Sequence, residues 1–244
     1  LKNLVSNISG SFAIVYDDND ISILCVDILR TFPLFYAIID GKIMISNSSK
    51  DLAKYTNYQI DEEALKDFEQ AGYVNVDRTI YHDVFQVEGG SIVVWQQGLL
   101  KKIEYFSYVT NSYDRRSVNQ LSYQLQQIFD SVAARLVKSL DGRTAVIPLS
   151  GGYDSRLIAT LLKKMDFANV ICFSYGRKDS FEASLSKKVA EKLGYRWIFV
   201  EYDDDLLLRT LSSDDFQKYL EFGFNGVSVS HVQDFFAVKK MCES

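Results

Sequence analysis

The sequence is poor in the residues that punctuate and cross-link chains. Only two prolines occur in 244 residues, which leaves no Pro-rich linker. Its three cysteines, Cys25, Cys172 and Cys242, are far apart and form no CxxC pair, and the only histidines are His82 and His231. Those counts exclude a disulfide scaffold and a four-ligand zinc site of the usual kind, so reducing cytoplasm is the expected compartment. No run approaches the roughly 20 apolar residues of a membrane-spanning helix, and the opening Leu1-Lys2-Asn3-Leu4 lacks the apolar run of a signal peptide. Positive charge is not in excess: 27 Lys+Arg stand against 32 Asp+Glu, a net −5, without the basic stripe of a nucleic-acid binder. Neither membrane nor nucleic acid is expected as a partner. What remains is ordinary globular material, 47% hydrophobic and 24% charged, with fifteen Tyr and sixteen Phe to fill a core.

The chain has two halves with different patterning. Up to about residue 108 it reads as short strands: 11–16, 21–26, 33–39 and 42–46, with turns at 17–20 and at Asp40-Gly41, arranged as a β-meander. A short helix over 61–71 stops at Gly72. Strands resume at 79–87, 91–95 and 100–106. The polar stretch 110–114 then reads as a linker. Leu121, Leu125, Ile128, Val132, Leu136 and Leu140 recur at helical spacing. Beyond them strands (144–149, 170–174, 197–202) alternate with helices (155–164, 181–193), the pattern of a parallel sheet with right-handed crossovers. The expected fold is therefore a β-rich domain over 1–108 followed by a parallel-sheet α/β domain over 114–244.

The segment richest in chemistry is Leu149-Ser150-Gly151-Gly152-Tyr153-Asp154-Ser155-Arg156, between a strand and a helix. Such a junction aims backbone N–H groups at one point on the positive end of a helix. Two glycines let an anion come close to the backbone, and two serines add hydroxyls. Asp154 would repel a bare phosphate, so its natural role is to hold Mg²⁺ bound to that phosphate. No Gly-Lys-Ser/Thr follows, so this is not a Walker A loop. The plainer alternative is a tight turn whose serine and aspartate only cap the helix.

Ser150-Gly151-Gly152-Tyr153-Asp154-Ser155 matches the SGGxDS pyrophosphate loop of the N-type ATP pyrophosphatases, and its surroundings resemble the asparagine synthetase branch. Phe173-Ser174-Tyr175-Gly176 sits where that branch ends its second strand beside the adenine pocket, and Glu182-Ala183 with residues 186–194 resembles the helix that follows. In the first half, Gly10-Ser11-Phe12-Ala13 up to Asp17, Pro33-Leu34-Phe35-Tyr36 and residues 45–52 resemble the family's "G-x-F-A-…-Y-D", "PLYY" and "ASE-x-K-x-L" segments. The resemblance implies part of a class II, Ntn-type glutamine amidotransferase domain, a layered β-sandwich between helices, and then the start of an ATP-pyrophosphatase domain of the adenine nucleotide alpha hydrolase kind. By position it implies that Ser150, Gly151, Gly152 and Ser155 cradle pyrophosphate, that Asp154 holds Mg²⁺, and that Leu149 and Ser174 flank the adenine of ATP. It further implies an amide-forming ligase that adenylates an aspartate-like carboxylate and transfers nitrogen from ammonia or glutamine. Relatives that act on other acids, and a degenerate nucleotide-binding subunit, are the alternatives. Family relatives are often dimers, so a homodimer is an expectation too.

The chain also departs from the family pattern. The family's glutaminase nucleophile is an N-terminal cysteine, whereas this chain begins at Leu1, as a piece entering the domain midway would, and so should not hydrolyse glutamine. Cys25 and Cys172 read as small core residues within strands. The family's second acidic loop and catalytic lysine find no match before Ser244; Gly223-Phe224-Asn225-Gly226 is loop-like but lacks the acidic pair. No catalytic residue is therefore assigned. Asp203-Asp204-Asp205 reads as a solvated helix start, His231 as a surface or packing residue, and Lys101-Lys102 and Arg115-Arg116 as solvated surface. His82 has no evident partner. Arg156 either faces phosphate or makes an outward ion pair.

Overall fold

The structure, a computed structural model, describes residues 2–18, 20–110 and 112–243. Leu1, Asn19, Asn111 and Ser244, which the readings of the start, the first turn, the linker and the end touch on, lie outside the described residues. The chain forms two compact units, one of residues 1–111 with 218–230 and one of 112–217 with 231–244.

The first unit opens with a one-turn helix α1 (Lys2–Val5) and the hairpin β1 (Ala13–Asp17) and β2 (Ile21–Val26). Asp18 closes that hairpin by accepting the N–H groups of Asp20 and Ile21 at 2.8 and 2.9 Å. β3 (Phe35–Ile39) and β4 (Lys42–Ser46) follow, joined where Asp40 and Gly41 both take positive φ, as the turn residues require. Next come α2 (Ser49–Ala53), a 3-10 turn (Lys54–Thr56) and α3 (Glu62–Ala71), capped by the Asp61 side chain and stopped by Gly72 at φ 77. β5 (Val84–Gln86), β6 (Ser91–Gln96) and β7 (Leu99–Glu104) complete the strands.

The expected meander is corrected. β2 pairs with β6, Cys25 opposite Ile92, and not with β3; the two antiparallel sheets are β1-β2-β6-β7 and β4-β3-β5. The cause is the side-chain alternation of β2. Leu24 and Val26 face Leu34, Tyr36, Val87 and Val93 across a shared core, while Ile23 and Cys25 face the other way, towards Val5 and Ile92. Two sheets stacked face to face bury the first set, and Val5 of α1 packs with the second on the outer face. The expected strand over 79–87 also shortens. Thr79 Oγ1 accepts from Tyr81 N–H at 3.1 Å and donates to Val84 O at 2.9 Å, and Asp83 takes φ 58, so the chain turns there before β5 begins.

In the second unit Ser117 and Gln120 form a reciprocal cap on α4 (Val118–Leu140). Then β8 (Ala145–Pro148), α5 (Tyr153–Lys164), β9 (Val170–Gly176), α6 (Phe181–Leu193) and β10 (Arg196–Glu201) build a parallel sheet in the order β10-β9-β8. α5 and α6 cover one face, where Ile147, Leu149, Cys172, Ala159, Leu162 and Ala190 are buried together. Each large side chain buried there contributes about 2 kcal/mol. α7 (Asp204–Leu211) follows, and α8 (Asp214–Phe224) runs across the boundary between the units. α9 (Gln233–Cys242) sets Ala237 against Phe173 and Val200 on the opposite face of the sheet. The stripe expected on α4 is only partly used. Ala133, Val137 and Leu140 pack inward, whereas Leu125 and Ile128 are half exposed. The fold class is the expected one: antiparallel β layers first, then a parallel α/β sheet.

Candidate functional site

In an open parallel sheet, ligands bind outside the carboxyl ends of the strands. In the second unit those ends carry the loop 149–155 after β8, the end of β9 and the start of α9. A cleft of about 290 Å³ opens there, lined by Pro148, Ser150, Phe173, Ser174, Tyr175, Glu182, Ala183 and Gln233.

The loop is held from within. Ser150 N–H donates to Ser155 Oγ at 3.1 Å, the two serine hydroxyls lie 3.1 Å apart, and Gly152 N–H donates to Ser150 Oγ at 3.1 Å. Gly152 is the N-cap of α5, and no side chain caps the helix, so the capping role for serine and aspartate is not what the loop adopts. The first N–H groups of α5 are thus left for another acceptor. Asp154, in the first turn, is exposed and makes no hydrogen bond or ion pair among the described residues.

Gly151 is informative for what the fold does not ask of it. A Cβ there would meet Glu182 Cγ at 3.5 Å, Leu185 Cδ2 at 3.6 Å and Glu182 Oε1 at 3.7 Å, all ordinary contacts, and its φ is not left-handed. By contrast a Cβ on Gly223 would stand 2.7 Å from Ser230 Oγ, so glycine is needed there for close packing. At Gly151 the chain itself supplies no such reason.

Arg156 does not make the outward ion pair that was one of its two expected courses. Its Nη2 donates to the Gly151 carbonyl at 2.6 Å, and its guanidinium lies 5.0 Å from the Tyr153 ring centre. Its Nε is buried without a hydrogen-bond partner, and no carboxylate pairs with it among the described residues. The loop therefore rests on an uncompensated positive charge.

Leu149 presents backbone alone, its side chain being only 1% exposed and part of the core. Its N–H donates to Phe173 O at 2.8 Å, and its carbonyl accepts from Ser174 Oγ at 2.7 Å. Ser174 is buried and touches the cleft. The start of α9 is tied over the strand ends. Tyr202 hydroxyl donates to Gln233 O and accepts from Ala237 N–H at 3.1 Å. Tyr175 stacks on Tyr202 with ring centres 4.9 Å apart. Burial, reinforced by its bond to Asp234, pushes the Tyr175 hydroxyl up to about 12.

The remaining residues fall outside the cleft. Burial pushes the Cys25 and Cys172 thiols up to about 11, the state of inert core thiols, while Cys242 is exposed. Asp203 caps α7 through Leu206 N–H at 2.6 Å, with Asp204 and Asp205 in the first turn, the expected solvated helix start. His82 finds Asp83 at 3.0 Å and His231 finds Asp234 at 3.3 Å. Arg116 pairs with Asp114, but Lys102 is more than solvated surface: it pairs with Asp77 and lies over Phe85. Among the described residues no three metal-ligating side chains cluster. A lone exposed carboxylate such as Asp154 does not suit a metal caged by protein alone; it would fit Mg²⁺ only where a ligand's own phosphate oxygens supplied most of the coordination.

Sequence reading missed Gln233, which reaches the cleft from a helix far along the chain, and Ser186 and Trp197, which lie behind Ser174. The available signal was Ser186 itself, a polar residue on the face of α6 otherwise buried through Ala183 and Ala190.

Comparison with known proteins gives two family matches: a glutamine amidotransferase domain over residues 2–106 and asparagine synthase over residues 125–228. No curated protein matches. Among solved structures, an NH3-dependent NAD synthetase from Campylobacter jejuni is 23% identical over 36% of this chain and 41% of its own, with a TM-score of 0.32. The glutamine phosphoribosylpyrophosphate amidotransferase of B. subtilis is 13% identical over 87% of this chain and 39% of its own, with a TM-score of 0.29. The chain spans about two fifths of each of these structures. A match to a glutamine amidotransferase domain over residues 2–106, followed by one to asparagine synthase over residues 125–228, supports an asparagine synthetase-like protein.

Proposed function

We propose that the second unit binds Mg·ATP at the 150–155 loop and serves an amide-forming ligase that adenylates a carboxylate, aspartate or an acid like it, and passes nitrogen from ammonia or glutamine to it. Gly151 carries the reading: the fold tolerates a side chain there, so the glycine answers to a ligand that comes against the backbone. The uncapped start of α5 and the unpaired guanidinium of Arg156 supply positive potential for a pyrophosphate. Ser150 and Ser155 brace the loop, and Asp154 extends from it as the metal-holding carboxylate. When bound, Mg²⁺ neutralises charge that leaves with pyrophosphate. The residues' own part is to orient the phosphates and to hold the loop rigid, so that little reorganisation is needed as charge builds on the departing group. The amidotransferase match supports glutamine or ammonia as the nitrogen source.

Equilibrium dialysis of the full chain with labelled ATP tests this. ATP should bind in the micromolar to millimolar range usual for substrates, only with Mg²⁺ present, and about tenfold or more weaker in Asp154→Asn. Adding aspartate and ammonia should then yield pyrophosphate. Equal binding by Asp154→Asn, or binding indifferent to Mg²⁺, would remove the metal-holding role of Asp154.

A further inference from the structure

A second cavity, of about 480 Å³, lies wholly within the first unit, between residues 30–35 and the returning segment 222–228. Most of its lining is apolar: Phe35 and Val227 are buried, while Phe32 and Phe222 are 53% and 83% exposed. Arg30 is the only charged side chain among the residues that line it. Its guanidinium donates to Gln86 Oε1, and Gln86 is fixed in turn by donating to Val76 O at 2.8 Å and Arg78 O at 3.2 Å. That partner is neutral. No carboxylate pairs with Arg30 among the described residues, and burial pulls its pKa below the ordinary guanidinium value. A partly buried charge with only a neutral partner is costly, and the chain's own contacts do not offset it. The backbone also holds Arg30 in place. It takes φ 52, the left-handed region that a residue with a side chain enters at a cost. Asp27 enforces that turn: its carbonyl accepts from Arg30 N–H at 3.0 Å, and its carboxylate accepts from the N–H groups of Leu29 and Thr31 on either side.

We propose that this cavity binds a small organic monocarboxylate with an apolar or aromatic body, its carboxylate on Arg30 and its body among Phe32, Phe35, Phe222 and Val227. A guanidinium matches a carboxylate in shape as well as charge, through two parallel N–H donors. One cation answers one negative charge; a phosphate dianion would bring a second, and no other cation lines the cavity to meet it. No acidic side chain lines it either, so the ammonium of an α-amino acid would lie there without a counter-charge. The ligand is therefore neither glutamine nor aspartate. Asn225, which also lines the cavity, is already engaged with Ser49 and Asn47, so Arg30 sets the polar end of the ligand. The volume falls within the usual range of small-molecule sites. The inference is independent of the nucleotide reading, because none of these residues belongs to the 150–155 loop or its cleft.

The test is calorimetric titration of the full chain with phenylpropanoate, with its neutral amide phenylpropanamide, with phenylalanine, which adds an ammonium to the same skeleton, and with inorganic phosphate. Phenylpropanoate should bind with a dissociation constant of about 1 mM or tighter. The amide and phenylalanine should each bind about tenfold or more weakly than that, and phosphate more weakly than the carboxylate. Arg30→Gln removes the charge and keeps a donor for Gln86, and should weaken phenylpropanoate about tenfold or more. Phe222→Ala removes an exposed ring that the fold does not need, and should weaken it about threefold or more with the melting temperature unchanged. It decides the matter, together with the comparison of carboxylate and amide, if Arg30→Gln does not fold. Equal binding of amide and carboxylate, tighter binding of phosphate or phenylalanine, unchanged binding in both folded variants, or no binding of phenylpropanoate at about 10 mM would each overturn the inference and leave the nucleotide reading untouched.

Discussion

Asp27 shows how one side chain directs the first unit. Its carboxylate accepts from the N–H groups of Phe12 at 3.1 Å, Leu29 at 2.9 Å and Thr31 at 3.1 Å, and from Thr31 Oγ1 at 3.1 Å, at the point where the chain leaves one sheet for the other. Burial alone would raise its pKa, but the donors from Leu29, Phe12 and Thr31 outweigh it and hold the carboxyl below the usual range. Asp27→Ala leaves buried donors without a partner and should lower stability by about 3 kcal/mol in urea unfolding. Because the folded pKa is the lower one, the stabilisation is complete above the unfolded value of about 3.9 and is lost as pH falls through the folded value. Asp27→Asn should therefore show a shallower loss of stability below about pH 4 than the unaltered protein. At this scale the sequence was legible where neighbours along the chain act together. Ser150, Gly151, Gly152, Asp154 and Ser155 are contiguous and could be read as a set. Arg156 could not be settled, because its partners depend on where the Gly151 carbonyl and the Tyr153 ring point once folded.

Among the elements, α9 depends on a single hydroxyl. Tyr202 at the end of β10 bridges Gln233 O and Ala237 N–H, so it fixes the turn of helix that brings Gln233 to the cleft. Tyr202→Phe keeps the stack on Tyr175 and should cost about 1 to 2 kcal/mol. Hydrogen exchange should quicken in α9 while α5 and α6 keep their protection; uniform quickening across the unit would refute this anchoring. Helices and strands around the parallel sheet could be read from the alternation of apolar strands with amphipathic helices, helped by caps such as Gly194 at φ 75 after α6. The pairing of strands in the first unit could not. Four short strands with tight turns suit a meander and a two-layer stack equally well, and the choice falls to Leu24, Val26, Tyr36 and Val93, which meet only in three dimensions. The α4 stripe misled for a related reason: several faces of that helix carry apolar residues, and only packing in the folded unit selects the buried Ala133 and, against the core of the unit, Val137 and Leu140.

At the scale of the whole molecule, residues 218–230 belong with the first unit although they follow the second along the chain. Backbone bonds tie them there, with Val74 N–H to Val227 O and Val229 N–H to Gly72 O both at 2.8 Å. Asn225 adds a side-chain clasp, accepting from Ser49 N–H at 3.0 Å and donating to Asn47 O at 3.2 Å. Asn225→Ala should destabilise the first unit by about 1 to 3 kcal/mol, read as faster hydrogen exchange at residues 47–49. No local pattern in the sequence signals a contact across some 176 residues, so this return was beyond reading. The ordering of the two kinds of sheet, by contrast, followed from the change in patterning near residue 108. The central claim, that the 150–155 loop exists for a nucleotide, is tested most directly by Gly151→Ala. The account predicts a melting temperature within about 2 °C of the unaltered protein, because the new Cβ meets only ordinary contacts, together with Mg·ATP binding weakened about tenfold or more. Unchanged ATP binding in a folded Gly151→Ala protein would contradict it.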